Sequence, residues 1–174
     1  MKVTVAVYII YNGKLLMVRE AKDHCKDMLN VPGGHLEENE NLLHAAIREV
    51  KEETGYDVEL TGFLGIQNSV NRDGRSSHIV NHAFSADIVG GNSICDGQEI
   101  SAVEFVDIET VLTMDSSQVR GVGHKENVAR VLTGKVLPIE AISHFDKGIE
   151  SKKSRLAILP NEKNLDKISH GKTI

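Results

Sequence analysis

The sequence lacks several features that mark whole classes of protein. Tryptophan is absent, and aromatic residues make up only 4% of the 174 positions, which disfavours a surface that stacks the bases of single-stranded nucleic acid. The formal net charge is −5 at pH 7, so no general attraction to nucleic acid polymers or to anionic membranes is expected. We therefore expect a small-molecule partner that is recruited locally.

Cysteines and long hydrophobic runs are also scarce. Cys25 and Cys95 are the only cysteines, and they have neither the spacing of a zinc site nor that of a disulfide framework. The apolar run at residues 3–10 is too short and too β-branched for a signal peptide or a membrane span. These absences favour a soluble, cytoplasmic protein with one main domain, which a chain of this length can fold around a real core.

Apolar patterning predicts a mixed order of strands and helices. Strands at 3–10 and 15–18 flank Asn12-Gly13, which is typical of a tight hairpin turn, and strands at 57–70 and 77–89 form a second, longer antiparallel pair. The other predicted elements are strands at 29–31 and 100–106 and helices at 41–54, 108–114 and 125–133.

The helix at 41–54 is the best defined, with Asn41 as its N-cap and Gly55 as its C-terminal left-handed residue. Glu49, Glu52 and Glu53 lie three and four positions apart, so they share one side of this helix. Like charges there repel one another and also oppose the helix macrodipole. We infer that a divalent cation, which prefers oxygen ligands, compensates them. The alternative is a solvated acidic helix face.

The glutamates belong to a longer pattern that resembles the Nudix hydrolase signature, Gly-x5-Glu-x7-Arg-Glu-aliphatic-x-Glu-Glu-x-Gly-aliphatic. Only the last position departs from it, because Tyr56 replaces an aliphatic residue at a packing position. The matching residues are Gly34, Glu40, Arg48, Glu49, Val50, Glu52, Glu53 and Gly55.

The resemblance implies a fold and a chemistry. The fold is an α/β (α+β) αβα sandwich with a mixed sheet, and the signature supplies its box helix. The chemistry is Mg²⁺-dependent hydrolysis, with Mn²⁺ as the alternative ion, of a phosphoanhydride in a nucleoside diphosphate derivative. The most direct form is cleavage of a nucleoside triphosphate to the monophosphate and pyrophosphate; a nucleotide sugar or another diphosphate is the alternative substrate, and a non-catalytic nucleotide-binding module is the alternative function.

Roles for individual residues follow from the resemblance and from metal chemistry. Glu49 and Glu53 are the expected principal metal ligands, and Glu52 is a direct or water-mediated ligand and a candidate general base. The main chain near Gly34 is a further metal ligand by resemblance. Arg48 is expected to orient Glu52 or Glu40 rather than to contact substrate. Glu99, which precedes a predicted strand, is a candidate ligand or base against the alternative of a solvated loop residue.

Two regions outside the box bear on substrate and assembly. By resemblance, dinucleoside polyphosphate hydrolases place a Tyr and ADP-ribose hydrolases a Pro about sixteen residues after the box; residues 70–73 contain neither, which favours small nucleotides.

The chain after Asp146 is basic, with seven Lys or Arg against three Asp or Glu. We predict a Nudix domain at 1–145 and a solvated, loosely attached basic extension at 146–174. Segment 156–159 is a candidate for docking on the domain or on a second subunit of a homodimer, and a phosphate-attracting arm is the alternative.

Overall fold

The computed structural model describes residues 1–70, 78–95, 97–121 and 123–143. All of these except Ser143 belong to a compact unit, Met1–Ile142. The predicted boundary at 145/146 and the basic extension lie outside the described residues. No helix among the described residues is long and apolar enough to cross a membrane.

Eight strands and three helices follow one another along the described chain. The strands are β1 (Lys2–Tyr8), β2 (Ile10–Tyr11), β3 (Lys14–Glu20), β4 (Leu29–Asn30), β5 (Gly33–His35), β6 (Tyr56–Val70), β7 (His78–Gly91) and β8 (Ile100–Asp107). The helices are α1 (Leu42–Thr54), α2 (Ile108–Thr113) and α3 (His124–Leu132), and a short 3₁₀ turn covers Ile139–Ala141.

The strands form two sheets. The first has the order β5-β1-β7-β6 and is mixed, because β1 runs parallel to β7 and antiparallel to β5. In the second, β3 pairs with β2, β4 and β8, all antiparallel. The predicted mixed α/β architecture is confirmed.

Two apolar cores lie on opposite sides of the sheets. Along β1, Val5 and Val7 face one core with Ala46 and Val50 of α1, whereas Tyr8 faces the other. The second core also takes Val111 of α2 and Val128 of α3. Strand residues alternate between the two faces of a sheet, so the five longer strands, β1, β3, β6, β7 and β8, contribute to both cores. The helices form the outer layers of an αβα sandwich.

Two predicted strand boundaries were wrong. The run at 3–10 is not one strand, because the chain leaves the first sheet after Tyr8 and joins the second at Ile10. The strand predicted at 29–31 ends at Asn30, and Gly33–His35, which was predicted to be only a stop, pairs with β1. Pairing with a neighbouring strand, rather than local propensity, sets these ends.

The two turn glycines predicted from the sequence are confirmed. Gly13 has φ 75° in the hairpin and Gly55 has φ 77° at the end of α1. Their surroundings differ, since a Cβ at Gly13 would meet nothing within 4 Å, whereas a Cβ at Gly55 would overlap the Asn92 carbonyl oxygen and crowd Ile94.

This difference makes a matched pair of variants. We expect Gly13→Ala to cost about 1 kcal/mol of unfolding free energy from backbone strain alone, and Gly55→Ala to cost roughly 1–3 kcal/mol more because of overlap. Urea denaturation of both variants measures the difference. Equal losses would show that the contact of Gly55 with the 92–94 segment does not restrict position 55.

Candidate active site

Helix α1 presents two of its glutamates to strand β5. The Glu53 carboxylate accepts a hydrogen bond from the backbone N–H of Gly33 at 2.9 Å. The Glu49 carboxylate lies so close to Gly34 that a Cβ at that position would overlap it. The two adjacent glycines of β5 therefore form the seat for the two carboxylates, and we refer to Gly33 and Gly34 as the glycine seat.

Burial disturbs the ionisation of both carboxyls. Burial raises the pKa of Glu53 to about 8, with the charges of Glu49 and Glu20 adding to this and the Gly33 N–H opposing it. The pKa of Glu49 is also raised, first by burial, and the Arg48 hydrogen bond opposes the shift. Two neighbouring carboxyls with raised pKa values fit a divalent cation, because a nearby positive charge would favour their ionised forms.

Arg48 uses every N–H of its guanidinium within the protein. It forms a two-bond pair with Glu40, at 2.8 and 2.9 Å, and donates to Glu49, Glu52 and the His35 carbonyl oxygen at 3.0, 2.9 and 3.1 Å. A guanidinium has five N–H groups, and these bonds engage five. The geometry thus matches the predicted orienting role of Arg48 and leaves no donor for a ligand.

Glu52 departs from its two neighbours. Its side chain is 59% exposed, against 12% for that of Glu49, and its contact in the box is Arg48.

Within the described ranges, no group of three or more His, Cys, Asp or Glu side chains is arranged to hold a metal ion. Mg²⁺ commonly takes one or two carboxylates and completes its shell with water and phosphate oxygens, so the Glu49–Glu53 pair is a suitable protein contribution.

Glu99 lies within reach of the site through a lysine. Its carboxylate accepts from Lys22 at 2.7 Å and is 62% exposed. Burial raises the pKa of Glu53 and the charge of Lys22 opposes this shift, so Lys22 interacts with both acids. The role of Glu99 as ligand or base stays a prediction.

Sequence reasoning missed an ion pair beside the box, between buried Glu20 and partly exposed Arg120. Glu20, at the end of β3, is 3% exposed and accepts from Arg120 at 2.7 Å and from Asn30 at 3.1 Å. The two partners are 100 positions apart, so no local spacing could reveal the pair. The one available signal was the charge of Glu20, two residues after the apolar strand at 15–18, and it did not indicate a partner.

Comparison with known proteins bears on this site. A family model, the NUDIX domain, matches residues 1–124, which include the glycine seat and all of α1. The chain belongs to the Nudix hydrolase family.

Individual relatives agree with membership of the Nudix family. An ADP-ribose pyrophosphatase of Methanocaldococcus jannaschii is 31% identical over 100 residues, and the match spans 58% of this chain and 58% of that protein. The phosphatase NudJ of Escherichia coli is 30% identical over 148 residues, which is 83% of this chain and 92% of the relative. A solved Nudix hydrolase from Nitrosomonas europaea superposes with a TM-score of 0.74 at 25% identity, covering 83% of this chain and 97% of the other.

The raised pKa of Glu53 predicts how the stability of the metal-free Nudix domain depends on pH. The folded state keeps a proton that the unfolded state releases above about pH 4.5, so stability falls as pH rises towards the folded value of about 8. Glu53→Gln does not titrate and should lose less stability over this range. We expect it to be more stable than the parent by roughly 2 kcal/mol at pH 9, measured by chemical denaturation with a chelator from pH 5 to 9. A constant difference across that range would contradict the assignment.

The glycine seat predicts a second effect, on metal binding. In Gly34→Ala the new methyl group must displace the Glu49 carboxylate, which is the far end of a flexible side chain. We expect an unchanged fold and an affinity for Mn²⁺ reduced at least about tenfold, measured by titration calorimetry. Gly13→Ala, remote from α1, serves as the control and should bind Mn²⁺ as the parent does. Parental affinity in Gly34→Ala would show that Glu49 is not held by this contact.

Proposed function

We propose that the chain hydrolyses a phosphoanhydride bond in a nucleoside diphosphate derivative with the aid of Mg²⁺, with Mn²⁺ as the alternative ion. The most direct reaction is conversion of a nucleoside triphosphate to its monophosphate and pyrophosphate. The observation that carries this proposal is the pair of half-buried carboxylates set against the glycine seat, with Glu53 held by the Gly33 N–H and Glu49 held by Arg48. Family membership supports the reaction class.

The metal would be held by the acidic side of α1. Glu49 and Glu53 are the proposed ligands, Glu52 reaches the ion directly or through water, and the main chain at Gly34 adds an oxygen. When bound, Mg²⁺ neutralises charge on phosphate oxygens and lowers the pKa of a bound water.

The chain's own residues position the acids and accept the proton. Arg48 holds Glu49 and Glu52 through the same nitrogen, at 3.0 and 2.9 Å, so the two carboxylates keep a fixed spacing. We assign Glu52 as the candidate base because it is the most exposed of the three glutamates and remains accessible to a water molecule. Glu53 and Glu99 are the other candidates, the latter held near the site by Lys22.

A nucleotide sugar is the second candidate substrate. The similarity to a protein named ADP-ribose pyrophosphatase favours it, whereas the markers expected at residues 70–73 are absent from the sequence. Residues 71–73 lie outside the described residues. A panel that pairs nucleoside triphosphates with ADP-ribose and nucleotide sugars distinguishes the two candidates by their products.

Two further proposals concern the protein's setting. Both cysteines, Cys25 and Cys95, carry free thiols, which supports a reducing compartment such as the cytoplasm. A homodimer through the basic extension stays a proposal, and its test is the oligomeric state of the chain with and without residues 147–174.

Glutamine variants of the box test the reaction. We expect Glu49→Gln and Glu53→Gln each to lower the turnover of the best substrate at least about 100-fold, because each removes a charge that the metal needs. Glu38→Gln changes an exposed residue of the same segment and should keep the parental rate. Product release is followed as phosphate and pyrophosphate with saturating Mg²⁺.

The outcome also separates an enzyme from a non-catalytic module. A module would bind nucleotide with no rate to lose. If folded, metal-loaded protein hydrolyses no member of the panel, the enzymatic proposal is rejected.

A further inference from the structure

The loop that precedes α3 is fixed onto strand β4. Leu29 donates its N–H to the Gln118 carbonyl at 2.8 Å, and its own carbonyl accepts from the Arg120 N–H at 2.7 Å. Leu29 and Val119 form a parallel bridge. The backbone on the N-terminal side of Arg120 is therefore an extension of the second sheet rather than an open loop.

The other side of the Arg120 backbone is held by a buried histidine. His124 Nε2 lies 2.6 Å from the Arg120 carbonyl oxygen, and His124 Nδ1 lies 3.0 Å from the Tyr8 hydroxyl. A carbonyl can only accept, so Nε2 carries the proton and Nδ1 accepts from Tyr8. The position of the Arg120 backbone is thus set by Leu29 on one side and by the Tyr8–His124 pair on the other.

The guanidinium of Arg120 is held by one edge. Its Nη1 donates to buried Glu20 at 2.7 Å, and Glu20 is the side chain that it bonds among the described residues. Asn30 donates to the same carboxylate at 3.1 Å, and Cys25 approaches its other oxygen at 3.6 Å. About 40% of the Arg120 side chain remains exposed, so this side chain is bonded through Nη1 and still reaches solvent.

One chain segment contacts both Arg120 and Glu53 and so places them near each other. Leu29, which bonds the Arg120 backbone, and Gly33, which bonds the Glu53 carboxylate, are the two ends of one five-residue segment. Burial lowers the pKa of Arg120, but the hydrogen bond and charge of Glu20 raise it above its usual value, and the charge of Glu53 adds to this. Arg120 thus adds positive charge near the carboxylate site, apart from that of Arg48.

Neutralising Glu20 is not a sufficient reason for this arrangement. Taking the Glu20 carboxylate out of water has a cost that pairing with Arg120 need not repay, and apolar side chains of similar size would avoid it. Glu20 also adds a negative charge beside Glu53 and raises its pKa. A guanidinium whose direction is fixed, by contrast, is well suited to bind phosphate through two parallel hydrogen bonds.

We propose that Arg120 is a substrate-binding residue, which holds a phosphate group of the diphosphate across from the Glu49–Glu53 pair, and that Glu20 is the positioning residue that directs it. This inference rests on the proposed function, since it assigns one side of the same site. It makes Arg120 the phosphate-contacting guanidinium, whereas Arg48 serves only the box carboxylates.

The test uses α,β-methylene-ADP, a diphosphate that lacks the cleavable oxygen bridge, with saturating Mg²⁺ and the full-length chain. We expect Arg120→Ala to weaken its binding in titration calorimetry at least about tenfold, the range for loss of a charge-assisted hydrogen bond. Affinity for Mn²⁺ without nucleotide should stay within about twofold of the parent. Glu20→Gln, which keeps Arg120 but loosens it, should give a smaller loss.

Arg19→Ala is the matched control. Arg19 is also a partly exposed arginine paired with a carboxylate, here through two bonds to Glu104 at 2.6 and 2.9 Å, but it is not placed at the carboxylate site. It should bind the analogue within about twofold of the parent. If Arg120→Ala does not fold, the double variant Glu20→Gln with Arg120→Gln leaves no unpaired buried charge and should show the same loss of affinity.

The possible results separate this inference from the proposed function. Parental affinity in folded Arg120→Ala or in the double variant, equal losses in Arg19→Ala, or no binding by the parent chain would each overturn the inference. If analogue binding depends on Arg120 but the chain hydrolyses no substrate, the inference about Arg120 is kept and the proposed enzymatic function is rejected. If Glu53→Gln abolishes hydrolysis but Arg120→Ala binds the analogue as the parent does, the enzymatic function is kept and the inference about Arg120 is rejected.

Discussion

The contact between two carboxylates and two glycines is the constraint on which the site depends. Glu53 and Glu49 can turn inward from α1 only because Gly33 offers an N–H and Gly34 has no side chain. Both glycines lie on β5, which pairs with β1 in the centre of the first sheet. The helix is held to the same sheet by Ala46 and Val50, so the position of the acidic pair follows from the core itself.

Two arginines near this pair of carboxylates have different contacts. Arg48 has no spare donor, and its contacts fix the directions of Glu40, Glu49 and Glu52. Arg120 is fixed through Glu20 instead and keeps an exposed part. An arginine that is saturated by protein acceptors can organise ligands but cannot bind them, whereas one that is held by a single edge can do both.

The sequence could predict those structural features whose causes lie within a few neighbouring residues of the chain. Asn41 caps α1 by accepting from the His44 N–H, and Gly55 ends it, because both effects arise within one turn of helix. The box pattern likewise placed Glu49, Glu52 and Glu53 on one helix. It did not show that Glu52 turns outward, since that direction depends on competition for Arg48 and on the room that β5 leaves.

The missed features all depend on distant parts of the chain. β5 exists because Gly33–His35 finds β1 as a partner, although two glycines in a row are poor strand formers. The break after Tyr8 arises because the chain passes from the first sheet to the second. An apolar run can pair in either sheet, so it does not indicate where the passage occurs. The Glu20–Arg120 pair joins residues from β3 and from the loop before α3, and a single sequence contains no signal for such a meeting.

The crossing of the chain between its two sheets has a mechanical consequence. The backbone passes from one sheet to the other at buried Ile9 and again at buried Val31, between β4 and β5. Glu53 is tied to the first sheet through Gly33, and Arg120 is tied to the second through Leu29. Residues 29–33 therefore join the anchor of Arg120 to the anchor of Glu53 by a short covalent link. At about 3.3 Å per residue of extended chain, the length of this link limits how far the two anchors can move apart.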